Sequence, residues 1–339
     1  MHNEDAAKCK NWLQKNFTAA RRRPSVTKFL FVFSKYKFYF NLKYCCLIVA
    51  FLFTHAKPVC CQIPDFSKVP NLYKNDSAGI TRLINNGVKI SLGKAVCWFP
   101  KDSLSEEQMT AIAAMIDKGI SAAEKFIHTP LRWQAHAINE PYTFYFRFDS
   151  IISHASAAGF VSISFWRIKS GKAPWLHEAL HEMLDTNTGT WFSPSVTEDE
   201  ANKEMPLWLF EGLPDYISAK VSQQENLPWF DVFSRSNRTN IDSIFMEDMK
   251  SDKASYILSF IGKKGILPEL DSKDRILYAP AFYHGSSSFV GYIADKYGIE
   301  ILLNAISSFG KEQEKIEEVT GKQIDILKRE WIDKMGIDK

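Results

Sequence analysis

The sequence predicts an α+β domain in which a small mixed β-sheet with one long helix comes first. Helices bearing the chemistry lie in the middle, and the C-terminal half is helical. Three observations predict it. Between Val88 and Ile168 the chain holds segments rich in β-branched and aromatic residues, several of them alternating with period two. After Pro174 the apolar residues recur at helical spacing for most of the remaining length. Strands first and helices afterwards is the α+β order. With 339 residues, 45% of them hydrophobic and 24% charged, the chain can bury a sizeable core, and it is not a disordered tail or a fibre.

Taken in order, residues 62–85 are mixed and polar, with Pro64, Pro70 and Gly79, and read as a lead-in. Val88 to Phe99 is broken by Gly93 and reads as a strand pair or a bulged strand. Ser103 to Ile127 has serines placed to cap, Glu106 and Glu107 in the first turn, and Met109, Ile112, Ile116, Ile120 and Ala123 at helical spacing. This is the long helix. Tyr142 to Phe148 and Phe160 to Ile168 alternate and read as strands, the second of them as the sheet edge. Helices are predicted at 175–186, 206–220, 279–297, 299–309 and 322–335.

The N-terminal 61 residues differ from the rest. They carry eleven Lys or Arg against Glu4 and Asp5, a charge of +9, while the remaining residues carry 31 basic against 37 acidic, or −6. Five of the six cysteines (Cys9, Cys45, Cys46, Cys60, Cys61) lie there too, leaving Cys97 alone in the body, without a disulfide partner or a Cys-rich zinc site. Tyr44 to Ala56 is a mostly apolar run of thirteen residues between Lys43 and Lys57. That is the length of a signal-peptide core and short for a spanning helix. The expectation is a targeting segment at 1–61, either cleaved near Gln62 or kept as a membrane tether, and a body at 62–339 that works outside the cytoplasm. A mildly acidic body also argues against a nucleic-acid partner, which needs a basic stripe to displace counterions.

The chemistry concentrates in LHEALHEML at 176–184. His177 and His181 are four apart, so a helix puts both imidazoles on one face, where each can give a nitrogen to one zinc ion. Glu178 can reach a water on that ion and take its proton. Two histidines on a helix are otherwise an ordinary solvated or core-edge pair, so the pentapeptide needs a third ligand to carry weight. The offsets that would hold the metzincin glycine and histidine hold Leu184 and Asn187 instead. Thirty residues after His181, PLWLFEGLPDY at 206–216 offers Glu211 from a second helix, with Pro206 suited to its first turn. Asp215 follows one turn later, placed to accept the free N–H of a ligand histidine. Alone, this segment reads as an acidic turn beside core aromatics. Beside the first motif it completes a His2Glu set. Pro214 inside the helix is expected to kink it.

HEALH followed by WLFEGLPDY resembles the gluzincin metallopeptidases, which include thermolysin and the aminopeptidase N family, and most of all the compact peptidase MA-like group. The resemblance implies one Zn2+ held by His177, His181 and Glu211, with Glu178 as general base and Asp215 behind a histidine. Tyr283 to Gly298 is similar to the group's tyrosine-bearing helix ending in Tyr-Gly. That implies Tyr283 as hydrogen-bond donor to the oxyanion, with His284 as the rival donor and Ser288 at the recurrent serine. The closing segment Ile324 to Trp331 also resembles the group. The resemblance spans about residues 88–335. The aminopeptidases' Gly-x-Met-Glu-Asn motif is absent, since 154–159 reads HASAAG, and so is their large N-terminal β domain. The expected function is therefore a zinc-dependent peptidase, an endopeptidase more than an aminopeptidase, acting on a peptide or protein. The alternatives are an inactive relative whose cleft binds a partner, and an exported structural protein with an accidental motif.

Overall fold

The computed structural model describes residues 76–127, 142–150, 153–156, 159–184, 203–233, 235–250, 254–265, 275–308 and 310–337. The segment at 1–61 lies outside the described residues, and with it the expectations of export and tethering. Contacts divide the chain into Met1–Gln62 and Ile63–Lys339, and everything below concerns the second unit.

Helix α1 (Asp76–Asn86) takes up the last part of the expected polar lead-in and runs one residue past it. Only Gly79, Ile80 and Leu83 of its interior are buried with Asp76, too sparse a stripe for the periodicity to show. Strands β1 (Val88–Leu92) and β2 (Ala95–Phe99) then form the expected pair as an antiparallel hairpin, Leu92 opposite Ala95. Its turn depends on Gly93, whose φ is +55° and whose missing Cβ leaves room for the Asp117 carboxylate. That carboxylate accepts the Lys94 N–H at 2.7 Å. Helix α2 (Glu106–Ile127) is the long helix. Its first turn is closed by Ser105, whose hydroxyl accepts the Gln108 N–H while Gln108 accepts the Ser105 N–H, a reciprocal capping box.

Strand β3 (Thr143–Arg147) runs parallel to β2, β4 (His154–Ser156) follows, and β5 (Phe160–Ser164) runs parallel to β3 and antiparallel to β4. The sheet order is β1-β2-β3-β5-β4, mixed as expected. Two details differ from the sequence reading. The strand at 160 stops at Ser164, and Phe165–Lys169 is a short helix, α3, whose aromatic and β-branched residues read as strand. The sheet edge is therefore β4, not β5. Three residues are too few for alternation to reveal a strand. Both sheet faces are covered: Cys97, Phe99, Phe144, Phe146, Val161 and Ile163 face the main core, whereas Val96, Trp98, Tyr145 and Phe160 pack under Ile80 and Leu83 of α1. Burial holds the Cys97 thiol well above its usual range, so it stays an inert core group.

The remaining elements are helical: α4 (Trp175–Leu184), α5 (Leu207–Glu225), α6 (Ile241–Asp248), α7 (Ala254–Phe260), α8 (Arg275–Tyr297), α9 (Ile299–Ile306), α10 (Glu312–Thr320) and α11 (Ile324–Met335). The fold is α+β, with β4 and β5 alongside α4, α4 against α5, and α5 against α8. Pro214 sits inside α5 without ending it, and Pro206 is the residue that precedes the helix rather than one within its first turn. Its carbonyl accepts the Phe210 N–H at 3.2 Å. The α5–α8 contact is close because Gly212 has no side chain: a Cβ there would lie 2.7 Å from the Ser286 backbone. Among the described residues no helix is long and apolar enough to cross a membrane.

Candidate metal centre

Helix α4 is buried on nearly every face, so its two histidines are held rather than dangling. Leu176, Ala179, Leu180 and Met183 anchor it in the core, and His177, Glu178 and His181 are themselves 3%, 4% and 7% exposed. The two imidazole Nε2 atoms lie 3.0 Å apart. Glu211 reaches the same point from α5, its Oε2 standing 3.4 Å from His177 Nε2 and 3.3 Å from His181 Nε2. A tetrahedral zinc ion with donors at about 2.0–2.1 Å requires donors separated by about 3.3–3.4 Å. Three nitrogen and oxygen donors at the corners of such a triangle fit the ion in chemistry and in size. Glu178 joins the cluster, with a carboxylate oxygen within 4.8 Å of the histidine donor atoms.

The charges fit one another as well. Burial works against a charged His177, yet the Asp215 and Glu211 carboxylates outweigh it and push the imidazole up to about 10. Glu211 is held well below the usual carboxylate range, because the His181 and His177 rings outweigh its own desolvation. Without a metal, a protonated His177 and an ionised Glu211 therefore stand as an ion pair.

Asp215, 1% exposed, sits behind the first histidine as the one-turn spacing from Glu211 predicts. Its Oδ1 is 3.5 Å from His177 Nδ1, an ion-pair contact slightly longer than a formed hydrogen bond. The arrangement leaves Nε2 as the nitrogen that faces Glu211. Ser218 donates to the Asp215 backbone carbonyl at 2.8 Å and accepts from Trp229 Nε1 at 3.0 Å, tying this turn of α5 to Trp229.

Tyr283 comes from α8. Its ring centroid is 6.4 Å from that of His177, and Phe233 meets it edge-on at 5.2 Å. His284 does not share this position. It is 1% exposed, with Nδ1 2.7 Å from an Asp248 oxygen and Nε2 3.8 Å from Asp231. Ser288 faces the opposite flank, donating to Asp242 at 2.6 Å and accepting from Trp331 Nε1 at 3.0 Å.

Two neighbours escaped the sequence reading. Arg167 on α3 donates to the Val232 carbonyl at 2.5 Å, and it feels the charges of both Glu178 and Asp231. Asp231 accepts the backbone N–H groups of Phe233 and Arg235 at 2.8 and 3.2 Å, fixing the turn that carries Phe233 to Tyr283. No spacing rule links residues 167 and 231 to the histidines, and reading 165–168 as strand hid the first of them.

No family model matches this chain, and no curated protein matches it. Among solved structures, it is similar to a mutant M1 zinc metallopeptidase from Deinococcus radiodurans, crystallised with a Tyr-Ser-Ala substrate. The two share 13% identity at a TM-score of 0.36, over 73% of this chain and 51% of that one, so this chain spans about half the length of that protein.

Proposed function

We propose that the chain is a zinc-dependent peptidase whose ion is held by His177, His181 and Glu211. The observation that carries this reading is the donor triangle with edges of 3.0, 3.3 and 3.4 Å, buried beside Glu178. When bound there, zinc supplies a Lewis acid and lowers the pKa of water to near neutrality. The chain's own residues do the rest. Glu178 takes the proton of the attacking water and returns it to the leaving amine. Asp215 fixes the tautomer and orientation of His177. Tyr283 donates to the carbonyl oxygen as negative charge develops on it. The edge strand β4 lies beside α4, where an extended peptide can add as a further strand and present its backbone to the cluster. Strand addition reads backbone and not a free terminus, which favours an endopeptidase. The segment at 1–61 would export or tether the enzyme, placing its peptide or protein substrates outside the cytoplasm.

An inert cleft that only captures a partner needs neither Glu178 nor Tyr283, so their presence at the cluster favours the enzyme. The decisive experiment is Glu178→Gln. The amide cannot take a proton, while its size and the helix are unchanged. Zinc content by elemental analysis should match the wild type, and cleavage of a mixed peptide library should vanish. A wild type that holds zinc but cleaves nothing, with or without chelator, would leave the fold as a binding module.

A further inference from the structure

Between α5 and α6 the chain makes a turn in which Asp231, Val232 and Phe233 each reach a different group. Asp231 is 1% exposed and spends its carboxylate within the turn. It accepts the N–H groups of Phe233 at 2.8 Å, of Arg235 at 3.2 Å and of Ser236, and its own N–H donates to the Ser236 carbonyl at 3.2 Å. Val232 offers its carbonyl to Arg167, which reaches across from α3 and donates at 2.5 Å. Phe233 meets the Tyr283 ring edge-on, with centroids 5.2 Å apart and planes at 90°. The turn also faces the next residue of α8, since His284 Nε2 stands 3.8 Å from Asp231 Oδ2. We propose that Phe233, held by Asp231 and Arg167, is the positioning residue that aims the Tyr283 hydroxyl at the metal cluster. The proposal deepens the peptidase reading and rests on it for the role of Tyr283.

A turn between two helices needs none of this fastening. Its backbone groups can be satisfied by water, whereas a buried carboxylate is costly unless it is well hydrogen-bonded. Asp231 is buried all the same and is satisfied by three backbone N–H groups of its own turn. An arginine from a separate element then ties down the residue between Asp231 and Phe233. The need for such rigidity lies in Tyr283. Its ring neighbours that of His177 at 6.4 Å and that of Phe233 at 5.2 Å. The hydroxyl is at the far end of a side chain that turns about two bonds, so a small swing carries it out of hydrogen-bond geometry. An edge-to-face contact favours one orientation of the pair, but it holds the tyrosine only if the second ring is itself fixed. On a loose turn Phe233 would follow Tyr283 instead of restraining it.

The test is a double-mutant cycle on the zinc-loaded full chain, read by peptide cleavage. Phe233→Ala and Asp231→Ala should keep wild-type zinc content and lower kcat about tenfold or more, with KM changed less than about twofold. Asp231→Asn retains an oxygen for the Phe233 and Arg235 N–H groups and should recover most of the loss. In the Tyr283→Phe background neither alanine variant should lower kcat further, because the hydroxyl that the turn serves is gone. Equal losses in both backgrounds would make the turn a merely structural support and overturn the proposal, as would wild-type turnover in Phe233→Ala. A second readout does not depend on cleavage. In the full chain labelled with 3-fluorotyrosine, the Tyr283 fluorine signal is the one absent from Tyr283→Phe. It should move in Asp231→Ala, where Phe233 is present but unfastened, and return toward its wild-type position in Asp231→Asn. Arg167→Met loosens the turn from its other side and should move the signal as well. A signal unmoved in both Asp231→Ala and Arg167→Met would overturn the proposal by itself. A wild type that cleaves nothing would end the peptidase reading, and the fluorine signal would still decide whether the turn places Tyr283.

Discussion

At the scale of single residues, the cluster is a set of groups whose charges are placed by their neighbours. His177 shows this most directly, with Glu211 before its Nε2 and Asp215 behind its Nδ1. Asp215→Ala should weaken zinc binding by about ten- to a hundred-fold, the usual scale for losing such a support. A zinc titration giving the wild-type affinity would mean that the 3.5 Å contact does not orient the ring. Tyr283→Phe removes one hydroxyl and leaves the ring packed on Phe233. Turnover should fall about a hundred-fold with little change in the Michaelis constant, since a bond to developing charge is made mainly in the transition state. Wild-type turnover in that variant, with loss in His284→Ala, would reassign the donor. The geometry speaks against that exchange, because His284 is committed to Asp248. These side chains were legible in the sequence because helical spacing ties His177 to His181 and Glu211 to Asp215. Arg167 and Asp231 were not, since they reach the cluster through tertiary contacts that no local period encodes.

At the scale of elements, the site depends on α5 lying close against α8, and that closeness rests on Gly212. Alanine there would gain about 0.5–1 kcal/mol of helix propensity. Its Cβ, however, would stand 2.7 Å from Ser286 backbone atoms, which cannot swing aside as a flexible side chain can. Forcing the helices apart costs about 1–3 kcal/mol, so the clash outweighs the propensity. Gly212→Ala should therefore lower the midpoint of denaturant unfolding, and it should also reduce activity, because Glu211 precedes the glycine on α5 while Tyr283 rides on α8. A variant as stable as the wild type would show that the contact relaxes freely. The elements that build the site were the readable ones: α4, α5 and α8 carry long apolar stripes or distinctive motifs. The misread ones were short or of mixed signal. Helix α1 buries few residues, β4 is three residues long, and Phe165, Trp166 and Ile168 favour strand by propensity yet form a turn of helix because the sheet ends at Ser164.

At the scale of the whole molecule, a metal held as proposed would compete with a proton for one buried place, and the competition would show in how stability depends on pH. Without metal, the folded His177 titrates near 10 against an ordinary value of 6.5. The folded state thus holds a proton that the unfolded state gives up between those values. Its contribution to stability is fully present below about 6.5 and is lost as pH rises toward 10. Glu211 has the opposite sign. Its folded value is depressed, so its contribution is present above the unfolded value and is lost as pH falls through the folded one. The metal-free protein should gain most from this pair in the mildly acidic range and lose that gain in alkali. Zinc held as proposed would reverse the alkaline limb, because it would have to displace the proton from His177 and would bind better as the proton becomes easier to remove. The difference in melting temperature between zinc-loaded and chelator-treated protein should therefore widen steadily from pH 6.5 to pH 9. Calorimetry in buffers of different ionisation enthalpy should register about one proton released per zinc bound at pH 7.5. A difference that stays flat across that range, with no proton released, would mean that the cluster is already deprotonated and that zinc enters without competition.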